Sequence, residues 1–201
     1  MKFSTRELVT LAVFGALWGL SEISLGSVLH AIDIPLTGLL LSTVGVMLAC
    51  IGRLFVPRRG STLFIGVIAM VLKLFSIGNV IIGPMIAILA EAIVAELILD
   101  AFGKPSLVAF LVTCMGAALW VLIHPFVTGL LIWGQSLLMV WLDMLDTGTR
   151  LFGIPSQAVL FIVLALVLLY LLVGAIGGWL AWKLGILLKN RLGGNLPATA
   201  E

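Results

Sequence analysis

The chain has 201 residues, of which 62% are hydrophobic and 10% are charged, and its mean hydropathy is +1.30. This composition excludes an ordinary soluble domain and predicts an all-α integral membrane protein, in which each span is a helix of about 20 apolar residues. The formal net charge is only +2 and the basic residues are scattered, so nucleic acid is not an expected partner.

In chain order, the apolar runs predict a bundle of six transmembrane helices that forms one domain, residues 1–192. The tail at 193–201 is rich in Gly, Pro and Ala, and we expect it to be disordered. The first run follows Lys2 and Arg6 as a signal peptide would, but it continues past Glu22 without a clear cleavage site, which indicates a retained helix. The predicted spans are residues 7–29, 36–55, 61–77, 81–102, 106–132 and 156–188.

The region from residue 106 to residue 145 leaves two alternatives open. It stays apolar but is broken at His124-Pro125 and at Gly134-Gln135, so it is either one long helix followed by an interfacial helix or two spans. The basic residues fall mainly at one set of helix ends, and the positive-inside rule then places both termini in the cytoplasm. That placement requires an even number of spans and favours six.

The fourth predicted span carries two carboxylates, Glu91 and Glu96, and we interpret it as the helix around which the others are arranged. A carboxylate within a bilayer costs roughly 2.5–3.5 kcal/mol on insertion scales, so each must face protein, water or a ligand. Glu96 follows Glu91 by five positions and points about 140° away from it, which argues against a paired acid/base dyad. We expect Glu96 and Asp100 to meet Lys104 or a partner protein.

Five polar or aromatic side chains are predicted at similar depths, because helix rise places them roughly 15–27 Å above the cytoplasmic face. One interpretation is a site in the middle and outer half of the bundle. The alternative is a structural ion pair of Lys73 with Glu91 or Glu22, and an interfacial position for His124. The five residues are Glu22, Lys73, Glu91, Trp120 and His124.

Small residues predict close helix packing in the first and last spans. Gly174, Gly177 and Gly178 form a stripe that we expect to pack within the bundle. Cys50 and Cys114 lie in apolar runs without metal-ligand spacing, so we expect both to be buried as small hydrophobic residues. The stripe of the first span, which either packs within the bundle or binds another chain, consists of Ala12, Gly15, Ala16 and Gly19.

Short motifs before and within the fourth span add to this layout. They are Gly78-Asn79, Gly83-Pro84-Met85, Glu91-Ala92 and Ala95-Glu96. Together they resemble the third loop and fourth helix of thiamine- and pyrimidine-type S-components, the substrate-binding subunits of energy-coupling-factor (ECF) vitamin transporters. Six short helices, cytoplasmic termini and the Ala12-x-x-x-Ala16 element extend the resemblance over nearly the whole chain.

The resemblance implies a non-enzymatic subunit in the plasma membrane of a prokaryote that captures a vitamin or cofactor precursor, thiamine-like as a first expectation. Glu22 and Glu91 would pair with a cationic ligand, and no cofactor or metal is expected. The chain has no Gly-x-x-x-x-Gly-Lys sequence, so a pair of ATPases and a transmembrane coupling subunit would be other chains. The implied substrate-binding residues are Trp18, Glu22, Lys73, Asn79, Glu91, Trp120 and His124, and the implied partner interface is Ala12, Gly15, Ala16 and Gly19.

Two other classes of function stay open on the sequence alone. An integral membrane enzyme acting on a lipid or isoprenoid would use Glu22, Glu91 and His124 as acid/base groups, although no acidic metal motif accompanies them. A scaffold protein would use the Lys73 ion pair only to fix helix packing.

Overall fold

A computed structural model of the chain describes residues 3–32, 36–76, 82–131, 134, 136–153 and 158–193. The regular secondary structure of these residues consists of seven α-helices. Asn79 and the C-terminal tail from residue 194 lie outside the described residues. The helices are α1 (Thr5–Ala31), α2 (Thr37–Phe55), α3 (Ser61–Lys73), α4 (Ile82–Phe102), α5 (Leu107–Leu131), α6 (Leu137–Phe152) and α7 (Val159–Gly193).

Six of these helices fall on the six predicted spans, and α6 is additional. Five of them, α1, α2, α4, α5 and α7, are long and apolar enough to cross a membrane. The apolar helix α3 has 13 residues and covers about 20 Å of a hydrocarbon layer that is about 30 Å thick. In the region that left two alternatives open, α5 ends at Leu131 and the separate helix α6 of 16 residues follows. Helix α6 is not among the helices that are long and apolar enough to cross a membrane.

Six helices contact one another in a closed ring, in the order α1, α3, α4, α5, α7 and α2, while α6 packs outside it against α5 and α7. Helix α2 also reaches α3, α4 and α5 across the ring and is the most buried of the long helices. The expectation that α4 organises the bundle is therefore wrong. Small residues of α2 allow this central position, because Gly45 packs against Trp18 and Gly52 against Ile65.

The glycine stripe of α7 packs within the bundle, as predicted. A Cβ atom at Gly174 would lie 2.7 Å from the carbonyl oxygen of Cys114, and one at Gly178 would lie 2.6 Å from that of Phe110. The backbones of α5 and α7 are therefore in direct contact, which only glycine permits at these positions. Cys50 and Cys114 are both buried with free thiols, in agreement with the expectation from their apolar surroundings.

A buried cluster of charges connects α2, α3 and α4 at the end of the bundle opposite Lys73. The Arg53 side chain is 3% exposed and pairs with Glu96 at 2.9 Å and with Asp100. The Glu96 carboxylate also accepts backbone N–H bonds from Gly60 (2.5 Å), Thr62 (2.9 Å) and Leu63 (3.1 Å). Glu96 thus supplies an N-terminal cap to α3 from a neighbouring helix, where a negative charge is favoured by the helix dipole.

Lys104 or a partner protein was expected beside these two carboxylates, and the prediction of Lys104 is wrong, because both carboxylates pair with Arg53. Asp100 pairs with Arg53 and, at 3.7 Å, with Arg59. The physical reason is that the last turn of α2, which carries Arg53, and the connection after it, which carries Arg59, lie beside the last turns of α4. Lys104 lies beyond the end of α4.

Candidate functional site

A cavity of about 310 Å³ lies at the opposite end of the bundle and is bordered by α1, α2, α3, α4 and α5. We call it the polar cavity. Glu22 comes from α1, Lys73 from the last turn of α3 and Glu91 from the middle of α4. The remaining residues of its wall are Gly38, Leu41, Ser42, Gly83, Pro84, Ala87, Ile88, Val121, His124 and Thr128.

Lys73 and Glu22 form an ion pair in this wall. The Lys73 Nζ atom lies 3.3 Å from Glu22 Oε2 and 3.2 Å from the Glu22 carbonyl oxygen, so one ammonium group contacts both the side chain and the backbone of α1. The two side chains are 11% and 8% exposed. Of the two glutamates proposed as partners of Lys73 from the sequence, the structure therefore selects Glu22.

Glu91 is the second carboxylate of the polar cavity, and the residue is 4% exposed. Its Oε2 atom has no hydrogen-bond partner among the residues that the structure describes. The hydroxyl-bearing Ser42 lies on the same wall. With both glutamates ionised, the wall holds two carboxylates and one ammonium, an excess of one negative charge. Because a buried unpaired charge costs several kcal/mol, this arrangement favours the binding of a proton or of a cation beside Glu91.

His124 and Thr128 complete the polar part of the wall from α5, one helical turn apart. The Thr128 hydroxyl donates to the His124 carbonyl oxygen at 3.1 Å, which satisfies the hydroxyl proton locally. The Nε2 atom of His124 has no hydrogen-bond partner in the described part of the chain. The wall thus offers one carboxylate oxygen, Oε2 of Glu91, and one imidazole nitrogen, Nε2 of His124, that have no hydrogen-bond partner among the described residues. Both atoms can bind a polar group of a ligand.

Trp18 and Trp120 were expected to provide stacking surfaces for a ligand, but neither lines the polar cavity. Trp18 is fully buried in the core, where its indole packs against Gly45, and it lies outside the wall of the polar cavity. Trp120 also lies outside that wall, and its ring contacts the His124 ring edge-on, with centroids 6.2 Å apart. Trp120 therefore packs against His124 and does not line the cavity.

Of the seven residues predicted to bind a substrate, the structure brings together Glu22, Lys73, Glu91 and His124. It separates Trp18 and Trp120 from the cavity, and Asn79 lies outside the described residues. Sequence reasoning missed Ser42 and Thr128. Applying the depth calculation to hydroxyl residues as well as charged ones would have selected them, but single Ser and Thr residues in apolar helices usually bond only to their own backbone.

Packing against α3 buries two of the four small residues in the stripe of α1. A Cβ atom at Gly15 would lie 2.7 Å from Ile68 Cβ, and one at Gly19 would lie 2.8 Å from Leu72 Cβ. These two glycines are buried inside the bundle and cannot contact another chain while α3 is in place. Ala12 and Ala16 are half-buried and remain accessible along the outer side of α1.

Fold and site together define the class of protein, a multi-pass helical membrane protein with a charged cavity bordered by five of its helices. The chain matches no known protein family, no curated protein and no solved structure.

Proposed function

We propose that this protein is a membrane-embedded substrate-capture subunit that binds a cationic or amine-bearing vitamin or cofactor precursor. The observation that carries the proposal is the Glu91 carboxylate, which faces a cavity of about 310 Å³ and whose Oε2 atom lacks a hydrogen-bond partner in the described chain. A cavity of this size is on the order of known small-molecule sites, roughly 300–1,000 Å³. A thiamine-like compound is the first ligand to test.

The two glutamates have different roles in this proposal. Lys73 neutralises Glu22 and holds α1 against α3, while Glu91 is left to pair with the charged nitrogen of the ligand. His124 supplies a hydrogen bond to a heteroatom, and the apolar part of the wall, including Ile88 and Pro84, encloses the ring. A charge-assisted hydrogen bond in a largely buried site is stronger than the same bond in bulk water.

The proposal extends to the assembly in which the subunit works. Six helices, with α3 as the shortest, cross the plasma membrane of a prokaryote and leave both termini in the cytoplasm. The half-buried alanines of α1 lie between exposed apolar residues such as Val13 and Leu17, so that face can receive a transmembrane coupling subunit. That subunit, together with a pair of ATPases in other chains, drives release of the ligand into the cell.

The test is ligand binding by the purified protein. We expect bound small molecules, identified by mass spectrometry after purification, to be organic cations, and thiamine to bind in isothermal titration calorimetry. Glu91→Gln should weaken binding about tenfold or more, because the charge-assisted bond is lost. Asp146→Asn is the matched control, since that carboxylate is 57% exposed and pairs only with Arg150 in the described chain.

Equal affinity of the wild type and Glu91→Gln would remove the carboxylate from the site and contradict the proposal. Turnover of a lipid by the purified protein would instead favour a membrane enzyme. The assembly is tested separately: Ala12→Leu combined with Ala16→Leu should abolish co-purification of a coupling subunit while ligand binding stays unchanged. Co-purification that survives both substitutions would exclude this face of α1.

A further inference from the structure

A second cavity of about 210 Å³ lies between α5, α6 and α7. We call it the apolar cavity, because most of its wall consists of hydrophobic side chains, among them Phe126, Met144 and Leu166. Tyr170 of α7 is 7% exposed and adds an aromatic face. Asp143, an exposed residue of α6, brings the one carboxylate of this wall.

The two cavities meet at Val121 of α5, the described residue that lines both of them. The beginning of α2 lies at the same place, since Leu36 lines the apolar cavity and Gly38 lines the polar one. A Cβ atom at Gly38 would be 3.8 Å from Val121 Cγ1, so the side chain missing from Gly38 leaves room beside Val121. The backbone of Leu36 has φ 62°, which is uncommon for a residue other than glycine and recurs at ligand sites.

The backbone of Val121 adds a polar group at this junction. Residue 125 is a proline inside α5, and proline has no N–H to donate to the carbonyl oxygen four residues earlier. The Val121 carbonyl oxygen therefore receives no helical hydrogen bond from position 125. It can accept one from a ligand N–H that lies between the two cavities.

We propose that the polar and apolar cavities form one bipartite site for an organic cation that carries an elongated apolar or aromatic body. The charged nitrogen lies beside Glu91, an adjacent N–H donates to the Val121 carbonyl, and the body extends past Val121 to Phe126 and Tyr170. The inference rests on the proposed function for its cationic half and adds the class of ligand. A small polar cation would fill only the first cavity and leave the second one empty.

The bipartite site makes affinity depend on the length of the apolar body. Each methylene group moved from water into an apolar wall should tighten binding about fourfold until the cavity is full. The probes are benzylammonium, phenylethylammonium and phenylbutylammonium, with the corresponding neutral alcohols to measure partition into the bilayer. Binding is measured by calorimetry on the full chain in nanodiscs, and the signal of Glu91→Gln is subtracted as non-specific uptake.

We expect phenylbutylammonium to bind about fifteenfold more tightly than phenylethylammonium, which differs by two methylene groups. Val121→Phe should reduce this ratio below threefold, because the larger ring fills the passage between the two cavities. Val112→Phe is the matched control on the same helix, since Val112 is 39% exposed on the outer side; it should retain the full ratio. Val121→Ala, which widens the passage, should raise the ratio.

The outcomes separate the two proposals. If benzylammonium binds in a Glu91-dependent manner but longer bodies add less than twofold, the bipartite site is refuted and the proposed function stands. If no cation binds in a Glu91-dependent manner, both are refuted. An unchanged chain-length ratio in Val121→Phe or in Val121→Ala would also refute the path past Val121.

Discussion

Replacing Glu96 with alanine removes an acceptor on which four donors converge. The donors are Nη1 of Arg53 and the backbone N–H groups of Gly60, Thr62 and Leu63, all within 3.1 Å of the carboxylate. Removing one partner of a buried ion pair costs about 3–5 kcal/mol, and each buried backbone N–H that loses its acceptor costs about 1–3 kcal/mol. Because the terms share one carboxylate they do not add, and Asp100 still pairs with Arg53, so we expect a total loss of about 3–5 kcal/mol.

Reversible unfolding in mixed micelles with increasing dodecyl sulfate, followed by far-ultraviolet circular dichroism, measures this loss. Glu96→Gln keeps the shape of the side chain and one acceptor oxygen, and we expect roughly half the effect. Amide hydrogen exchange supplies a local measurement, since the Thr62 and Leu63 amides should exchange faster in Glu96→Ala. The control is Asp146→Asn, whose exposed ion pair contributes about 0–1 kcal/mol. If the free energies of unfolding of Glu96→Ala and of that control differ by less than about 1 kcal/mol, which is the range for exposed ion pairs, the capping role is refuted.

Three further predictions concern packing and burial. Lys73→Met should destabilise the protein by about 3 kcal/mol in the same unfolding assay, because it leaves its carboxylate partner on α1 buried without a cation; a neutral result would mean that water already solvates that carboxylate. Gly174→Ala should cost about 1–3 kcal/mol by forcing α5 and α7 apart, whereas Gly83→Ala, with nothing within 4 Å of the added atom, should be neutral or stabilising. Cys50 and Cys114 should react with maleimides only after unfolding, as measured by mass spectrometry, and rapid labelling of the native protein would contradict their burial.

The helices were predictable from the sequence because a bilayer demands long apolar runs, and such runs are easy to recognise. The calculation of depth from helix rise also predicted similar depths in the membrane for Glu22, Lys73 and Glu91, because the rise per residue is nearly constant. It was less informative for Glu96, because the end of α2, the start of α3 and the connection between them at residues 56–60 supply its partners together. A loop of this kind has no periodic pattern from which its path can be calculated.

The central position of α2 and the burial of Trp18 were not predictable for a related reason. A tryptophan in an apolar helix can face a ligand, lipid or the core, and the choice depends on which neighbouring helix offers a space of the right shape. Here Gly45 of α2 provides that space. Contacts of this type depend on two helices at once, and a single sequence does not state which helices are neighbours.

The shortness of α3 has a consequence for the surrounding lipid. A helix of 13 residues leaves about 10 Å of the bilayer's depth beside it that it cannot fill. Lipid headgroups and water can enter that space and thin the membrane locally. The ammonium of Lys73, in the last turn of α3, then lies at the edge of the thinned region instead of within the hydrocarbon layer. A small hydrophilic solute approaching from that side would have only a short distance to travel before it met protein.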